Sequence, residues 1–310
     1  MKCVIVYFSQ TGNTEKIAQA IRVGVETAAD HCDILPIKDA NPGRLHDHDL
    51  IGIGSPVWGA EPNNVQTFIN NMRSVGGKHA FAFCTHGGVP DHFYPGIIAR
   101  LKRRGLVVIG ARDWYGDCSM YHHCYPYPTA GHPDEIDLKE AEEFGKTTVD
   151  RSRRVSRGDK GPIIPTPPKM PPPSAVEMEG FKIIKAFPTM VKFHADRCSY
   201  PECRLCMDNC PMCGIDLSVE PPVIAKPCAN CEFCARICPT GAIDIGDWLD
   251  ALQVGVPMMK NVILPRLAKD EEEGRFRRLL PLKNVGYTLN YRLRTKHPQW
   301  IIGKGYGETL

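Results

Sequence analysis

A chain of 310 residues exceeds one small domain and suits two, and its 43% apolar and 24% charged residues exclude a disordered or fibrous class. The formal charge of +3 is bland, but by segment it is about −4 for residues 1–150, +6 for 151–192, −4 for 193–249 and +5 for 250–310. No apolar run approaches the roughly eighteen residues of a transmembrane helix, and Cys3 to Phe8 is too short for a signal-peptide core, so a cytoplasmic protein is expected.

Reducing thiol pools keep cytoplasmic cysteines open, so the fourteen cysteines point to metal rather than disulfides. Five of them (Cys3, Cys32, Cys84, Cys118, Cys124) are scattered over the first half, and nine fall between Cys198 and Cys238. The second half is therefore the metal-bearing one.

In chain order, residues 2–8 form a β-rich apolar run, then the polar loop Ser9-Gln10-Thr11-Gly12-Asn13-Thr14, then a helical pattern from Glu15 to about Ala29. Strand-like runs follow at Cys32 to Ile37, Leu50 to Gly54, His79 to Cys84 and Leu106 to Trp114. They alternate with helical stretches near Asn64 to Arg73, Tyr94 to Arg104 and Asp137 to Asp150. This alternation predicts an α/β domain with a parallel sheet.

The first loop offers hydroxyl and amide groups, a glycine that admits close backbone approach, and a helix N-terminus directly behind it. Free N–H groups and the helix dipole make such a loop a phosphate cradle without Lys or Arg. It lacks the Gly-Lys-Ser/Thr ending of a P-loop and the Gly-x-Gly-x-x-Gly dinucleotide fingerprint. It resembles the FMN phosphate loop of flavodoxins, and the resemblance extends to Ser55-Pro56-Val57-Trp58-Gly59-Ala60 after the third strand and Thr85-His86-Gly87-Gly88 after the fourth.

That resemblance implies a doubly wound parallel sheet of order 2-1-3-4-5, with ligand bound outside the strands' carboxyl ends. It implies that Ser9, Gln10, Thr11, Gly12, Asn13 and Thr14 hold the ribityl phosphate of FMN. Trp58, preceded by Pro56 and Val57 and followed by Gly59, would stack on the isoalloxazine, Gly59 would lie near flavin N5, and Thr85, His86, Gly87 and Gly88 would line the other side. His86 is the candidate acid–base residue. The long stretch Trp114 to His132, with Tyr121, His122, His123 and Tyr125, is either a lid over the flavin or an ordinary surface loop; the surface loop is favoured.

From Arg151 to Pro173 the chain turns basic and then proline-rich, ending in Pro171-Pro172-Pro173, which reads as a semi-rigid polyproline spacer. The basic run is short and lacks interleaved aromatics, so no nucleic-acid partner is expected. Val176 to Phe187 reads as a helix entering the second domain.

Cys228-x2-Cys231-x2-Cys234-x3-Cys238-Pro239 carries the spacing of a bacterial ferredoxin cluster loop, in which three thiolates grip one cubane and the cysteine before proline ligates the other. Cys198-x4-Cys203-x2-Cys206-x3-Cys210-Pro211 repeats it with two residues inserted. Exchange of the fourth ligands would put one [4Fe-4S] cluster on Cys198, Cys203, Cys206 and Cys238 and a second on Cys228, Cys231, Cys234 and Cys210. Cys213 is left over, either spare or a replacement for Cys198, which is the favoured ligand. Structural zinc would not need the Cys-Pro repeat. Bound clusters and an FMN phosphate add about −4 and −2 of charge, so the sequence pI of 8.2 says little about partners.

As a whole the chain resembles flavodoxin–ferredoxin fusion proteins. The expected plan is 1–155 a flavodoxin-like FMN domain, 156–192 a linker, 193–249 a small α+β ferredoxin-like domain with two [4Fe-4S] clusters, and 250–310 an extension. With no nicotinamide fingerprint, electrons would be exchanged with a protein partner such as a ferredoxin, a flavodoxin or a reductase, in an anaerobic setting. A low-potential carrier is favoured over the alternative, a reductase of a small organic substrate at FMN. Transfer between clusters and flavin is left open as within one chain or across a homodimer.

Overall fold

The computed structural model describes residues 1–90, 92–118, 126–168, 191–224, 228, 231, 233–245 and 259–285. The expectations for Tyr121 to Tyr125, the proline run at 171–173, the helix at 176–187 and the glycine-rich ending at 303–307 lie outside the described residues. The chain forms two compact units, Met1–Asp117 with Gly131–Pro171, and Cys118–Ala130 with Pro172–Leu310.

The first unit is a sheet of β1 (Lys2–Tyr7), β2 (His31–Pro36), β3 (Leu50–Pro56), β4 (His79–His86) and β5 (Val107–Tyr115), with α1 (Asn13–Glu26), α2 (Asn63–Asn71), α3 (Phe93–Arg103) and α4 (Glu135–Ser156) between and after the strands. All four strand pairings are parallel and the order is β2-β1-β3-β4-β5. This is the flavodoxin-like order expected from the sequence.

Helices cover both faces, so the central strands read as continuous apolar runs. Strand periodicity then sorts their side chains into two cores. Val4, Val6, Ile51, Ile53, Ala80 and Ala82 face α2 and α3 through Val65, Ile69, Ile97 and Leu101. Cys3, Ile5, Leu50, Phe81, Phe83 and Ile109 face α1 and α4 through Ile17, Ile21, Val25, Ala141 and Phe144.

The close approach of α1 to α4 depends on two glycines. A Cβ on Gly24 would stand 1.8 Å from the Glu142 carbonyl oxygen, and one on Gly145 would stand 2.2 Å from that of Ile21.

Three boundaries differ from the sequence expectation. Helix α4 starts at Glu135 rather than Asp137, because Asp134 caps it and Asp137 bonds back to the Asp134 N–H in a capping box. Strand β4 runs on to His86 and β3 to Pro56, so Thr85, His86 and Pro56 are strand residues and not loop residues. Finally, the Ile164 N–H donates to the Val108 carbonyl at 2.8 Å and Ile164 packs on the first core, so the start of the expected linker covers the exposed edge of β5.

Burial in the α1 face pushes the Cys3 and Cys32 thiols up to about 12. A thiol whose pKa is raised by folding stabilises the fold fully below its unfolded value, near 8.5, and loses that contribution as pH rises toward the folded value. The first unit is therefore expected to unfold at progressively lower temperature above about pH 9. Replacing both thiols with alanine should flatten this alkaline limb in a Tm-against-pH series.

In the second unit β6 (Val191–Phe193) pairs antiparallel with β7 (Ile243–Ile245), and Asp216 bridges Val223, also antiparallel. The short helices α5 (Leu205–Asp208) and α6 (Phe233–Ile237) complete it, with Ile215, Leu217, Ala235 and Ile243 at its centre. In the stretch after residue 250, a π-helical turn at Met259–Ile263 leads into α7 (Leu264–Glu272), burying Met259, Ile263 and Leu267.

Candidate functional site

The carboxyl ends of β1, β3 and β4 carry the three loops picked out in the sequence. At the first, Gly12 stands at the N-cap of α1 with φ 89°, a left-handed conformation that disfavours any side chain, and no side chain caps the helix. The leading N–H groups of α1 thus have no intrahelical acceptor, which is the donor set an anion needs. The Gly12 N–H donates to Ser9 Oγ at 3.1 Å, curling the loop, and Asn13 Nδ2 donates to the Asp117 carbonyl at 3.0 Å. Gln10 is buried, while Ser9 and Thr11 are half-buried.

Thr85 ties the three loops together. Its hydroxyl meets that of Thr14 at 2.8 Å, and its carbonyl accepts from the Val57 N–H at 3.0 Å. Trp58 is half-buried, set edge-on to Phe8 with ring centroids 5.6 Å apart, and its backbone N–H donates to the Ala60 carbonyl at 2.9 Å across Gly59, whose φ is 77°. Trp58 is thus held at the loop cluster, half-buried against the first core. Pro56 and Gly87 are half-buried and Gly88 is buried.

His86 does not stand free at a loop tip. Its side chain is 2% exposed, with Nε2 at 2.9 Å from Asp113 Oδ2 and its ring edge-on to Tyr115 at 4.7 Å. The Tyr94 hydroxyl donates to the other oxygen of Asp113. Burial opposes ionisation of Asp113, but the His86 hydrogen bond and charge, the Tyr94 hydroxyl and Arg112 outweigh it and hold its carboxyl below the ordinary range. Sequence reasoning missed Asp113 and Tyr94. The available signal was the charged pair Arg112-Asp113 inside the otherwise uncharged strand 107–115, with Asp113 two residues before the residue that pairs with His86.

In the second unit Cys238 lies with the earlier cysteine run rather than with its own. One pocket is lined by Cys198, Cys203, Cys206 and Cys238. Burial and the neighbouring Cys238, Cys198 and Cys203 push the Cys206 thiol up to about 12. Cys234 is pushed well above the usual thiol range by burial and by Cys231, Cys210 and Cys228.

The two halves match in detail. The Gly214 N–H donates to Cys210 Sγ and the Ala242 N–H to Cys238 Sγ, each at 3.2 Å and each four residues along. Cys213 is exposed, outside the pocket, with φ 50°, and its counterpart in the second half is Gly241 with φ 67°. Four sulfurs around one space, with N–H groups aimed at two of the eight, suit thiolate ligation of an iron–sulfur core.

A family model for the flavodoxin domain matches residues 4–92. An uncharacterized protein of Methanocaldococcus jannaschii is 31% identical over 158 residues, covering 48% of this chain and 99% of that protein. A flavodoxin of Clostridium beijerinckii is 26% identical over 146 residues, 46% of this chain and 95% of its own length. A ferredoxin of Methanothermococcus thermolithotrophicus is 38% identical over 52 residues, 16% of this chain and 87% of its own length. Among the described residues no helix is long and apolar enough to cross a membrane.

Proposed function

We propose that this chain, with a flavodoxin domain matched at residues 4–92 and a segment similar to ferredoxins, passes electrons between a protein redox partner, two [4Fe-4S] clusters and FMN. In this reading it is a low-potential carrier of an anaerobic cytoplasm, delivering electrons to another enzyme. FMN supplies a centre that holds one or two electrons, and the clusters supply one-electron steps.

The chain's own residues bind and orient. The α1 N-terminus and the Ser9 to Thr14 loop hold the phosphate, Trp58 and the Thr85 to Gly88 segment flank the ring, and Thr85 fixes the spacing of all three loops. Cys198, Cys203, Cys206 and Cys238 hold one cluster, and Cys228, Cys231, Cys234 and Cys210 the other. The observation that carries the reading is the gathering of Cys238 with Cys198, Cys203 and Cys206 around one pocket.

The alternative, reduction of a small organic substrate at FMN, gains from the buried His86–Asp113 pair at the same sheet edge. Anaerobic stopped-flow with a reduced one-electron protein donor tests the carrier reading. Cluster bleaching should precede flavin bleaching, and the electrons should pass on to a second protein acceptor. Flavin bleaching first, with clusters silent, would overturn it, and reoxidation only by a small organic acceptor would favour the alternative.

A further inference from the structure

We propose that His86 is the proton-exchanging group of the sheet's carboxyl edge, with Nδ1 as the exchanging atom and Asp113 and Tyr94 as the positioning residues that fix it. The inference rests on the FMN reading above. An ionised carboxylate only accepts, so the 2.9 Å contact to Asp113 requires the hydrogen on His86 Nε2. In the neutral imidazole the lone pair is then on Nδ1, which is buried and has no hydrogen-bond partner among the described residues. Leaving a buried acceptor unpaired is destabilising, a cost a purely structural residue would not need to carry.

The arrangement leaves the imidazole one orientation. Tyr94 occupies the second oxygen of Asp113, so the carboxylate cannot turn away, and the Tyr115 ring packs at 64° to the imidazole. The charged and titratable groups facing the pair are Asp113, Arg112 and Tyr115 from β5, Tyr94 from α3 and Cys84 from β4 itself. On the far side of Tyr115 lies His132, at 6.2 Å between ring centroids, already committed to Asp137 through Nδ1. The same logic orients a catalytic histidine by an aspartate so that its opposite nitrogen acts.

When an external one-electron donor adds an electron to the bound FMN, one proton from solvent binds Nδ1 of His86. One electron and one proton enter together, no covalent bond to carbon forms or breaks, and the net charge of the edge is unchanged. Reoxidation by the acceptor releases the proton.

The test is potentiometry of the FMN-loaded full chain across a pH series, for the wild type, His86→Gln and Asp113→Asn. Glutamine keeps an N–H for Asp113 but cannot titrate. The wild-type flavin potential should fall with pH at one proton per electron over a defined window, His86→Gln should be flat there, and Asp113→Asn should displace the window. In wild-type protein with 15N-labelled histidine, Nδ1 of His86 should become protonated on reduction, which decides the matter even if a variant fails to fold. Equal slopes in wild type and His86→Gln, or an Nδ1 signal unchanged by reduction, would overturn the proposal. Wild-type protein that binds no FMN would overturn the FMN reading together with it, whereas bound FMN with a pH-independent potential would overturn the proton site alone.

Discussion

Alanine at Cys238 is expected to remove the cluster held by the distant Cys198 run and to spare the one held by Cys228, Cys231 and Cys234, lowering iron from about eight to about four atoms per chain. The reason is spatial: Cys238 follows the second run in sequence, yet its sulfur lines the pocket of Cys198, Cys203 and Cys206. Ligands of one cluster act as a unit, so their losses do not add, whereas losses at separate clusters do. Cys198→Ala with Cys238→Ala should therefore cost no more iron than either change alone. Cys228→Ala with Cys238→Ala should cost both clusters. Assignment of each run to its own cluster predicts the reverse in both double variants, and anaerobic iron and sulfide analysis separates the two. Cys213→Ala should leave the iron unchanged, since Cys213 is exposed and lies outside the pocket.

The second large effect is expected at Gly12. A β-branched residue there must hold φ near 89°, at a cost of about 1–3 kcal/mol, and its methyl groups would crowd the helix N–H groups that would hold the phosphate. Gly12→Val should weaken FMN binding by about a hundredfold or more, equivalent to about 3 kcal/mol, measured by flavin fluorescence quenching on titration into apoprotein. Gly158 supplies the control. Its φ is 94° with nothing within 4 Å of an added Cβ, so Gly158→Val shares the backbone strain but should leave FMN affinity alone. Equal loss in both variants would mean that Gly12 serves folding rather than the ligand.

Much of this was legible in the sequence, for identifiable reasons. The parallel α/β sheet followed from alternating elements, because buried parallel strands write apolar runs such as Cys3–Tyr7 and Ala80–Cys84, and its order followed from the resemblance of the three loops to those of flavodoxins. The Cys-Pro spacing raised the expectation of exchanged fourth ligands, and the one pocket lined by Cys198, Cys203, Cys206 and Cys238 is the arrangement such an exchange needs. Pairings between elements were not legible. Asp113 and Tyr94 meet His86 only once β4, β5 and α3 are packed, and no local pattern ties residues 86, 94 and 113. The role of Thr85 as the tie between loops needs Thr14 and Val57, which lie 71 and 28 positions away. The segment after residue 156 was read as linker from its prolines and charges, and composition alone does not reveal that Ile164 bonds the edge of β5.

The central claim is that one chain holds two clusters and a flavin, and the most direct measurement is cofactor content after purification without oxygen. The account predicts about one FMN, eight iron and eight sulfide per chain, with EPR signals of two interacting clusters on full reduction. Protein without FMN, or with only about four iron per chain, would contradict it.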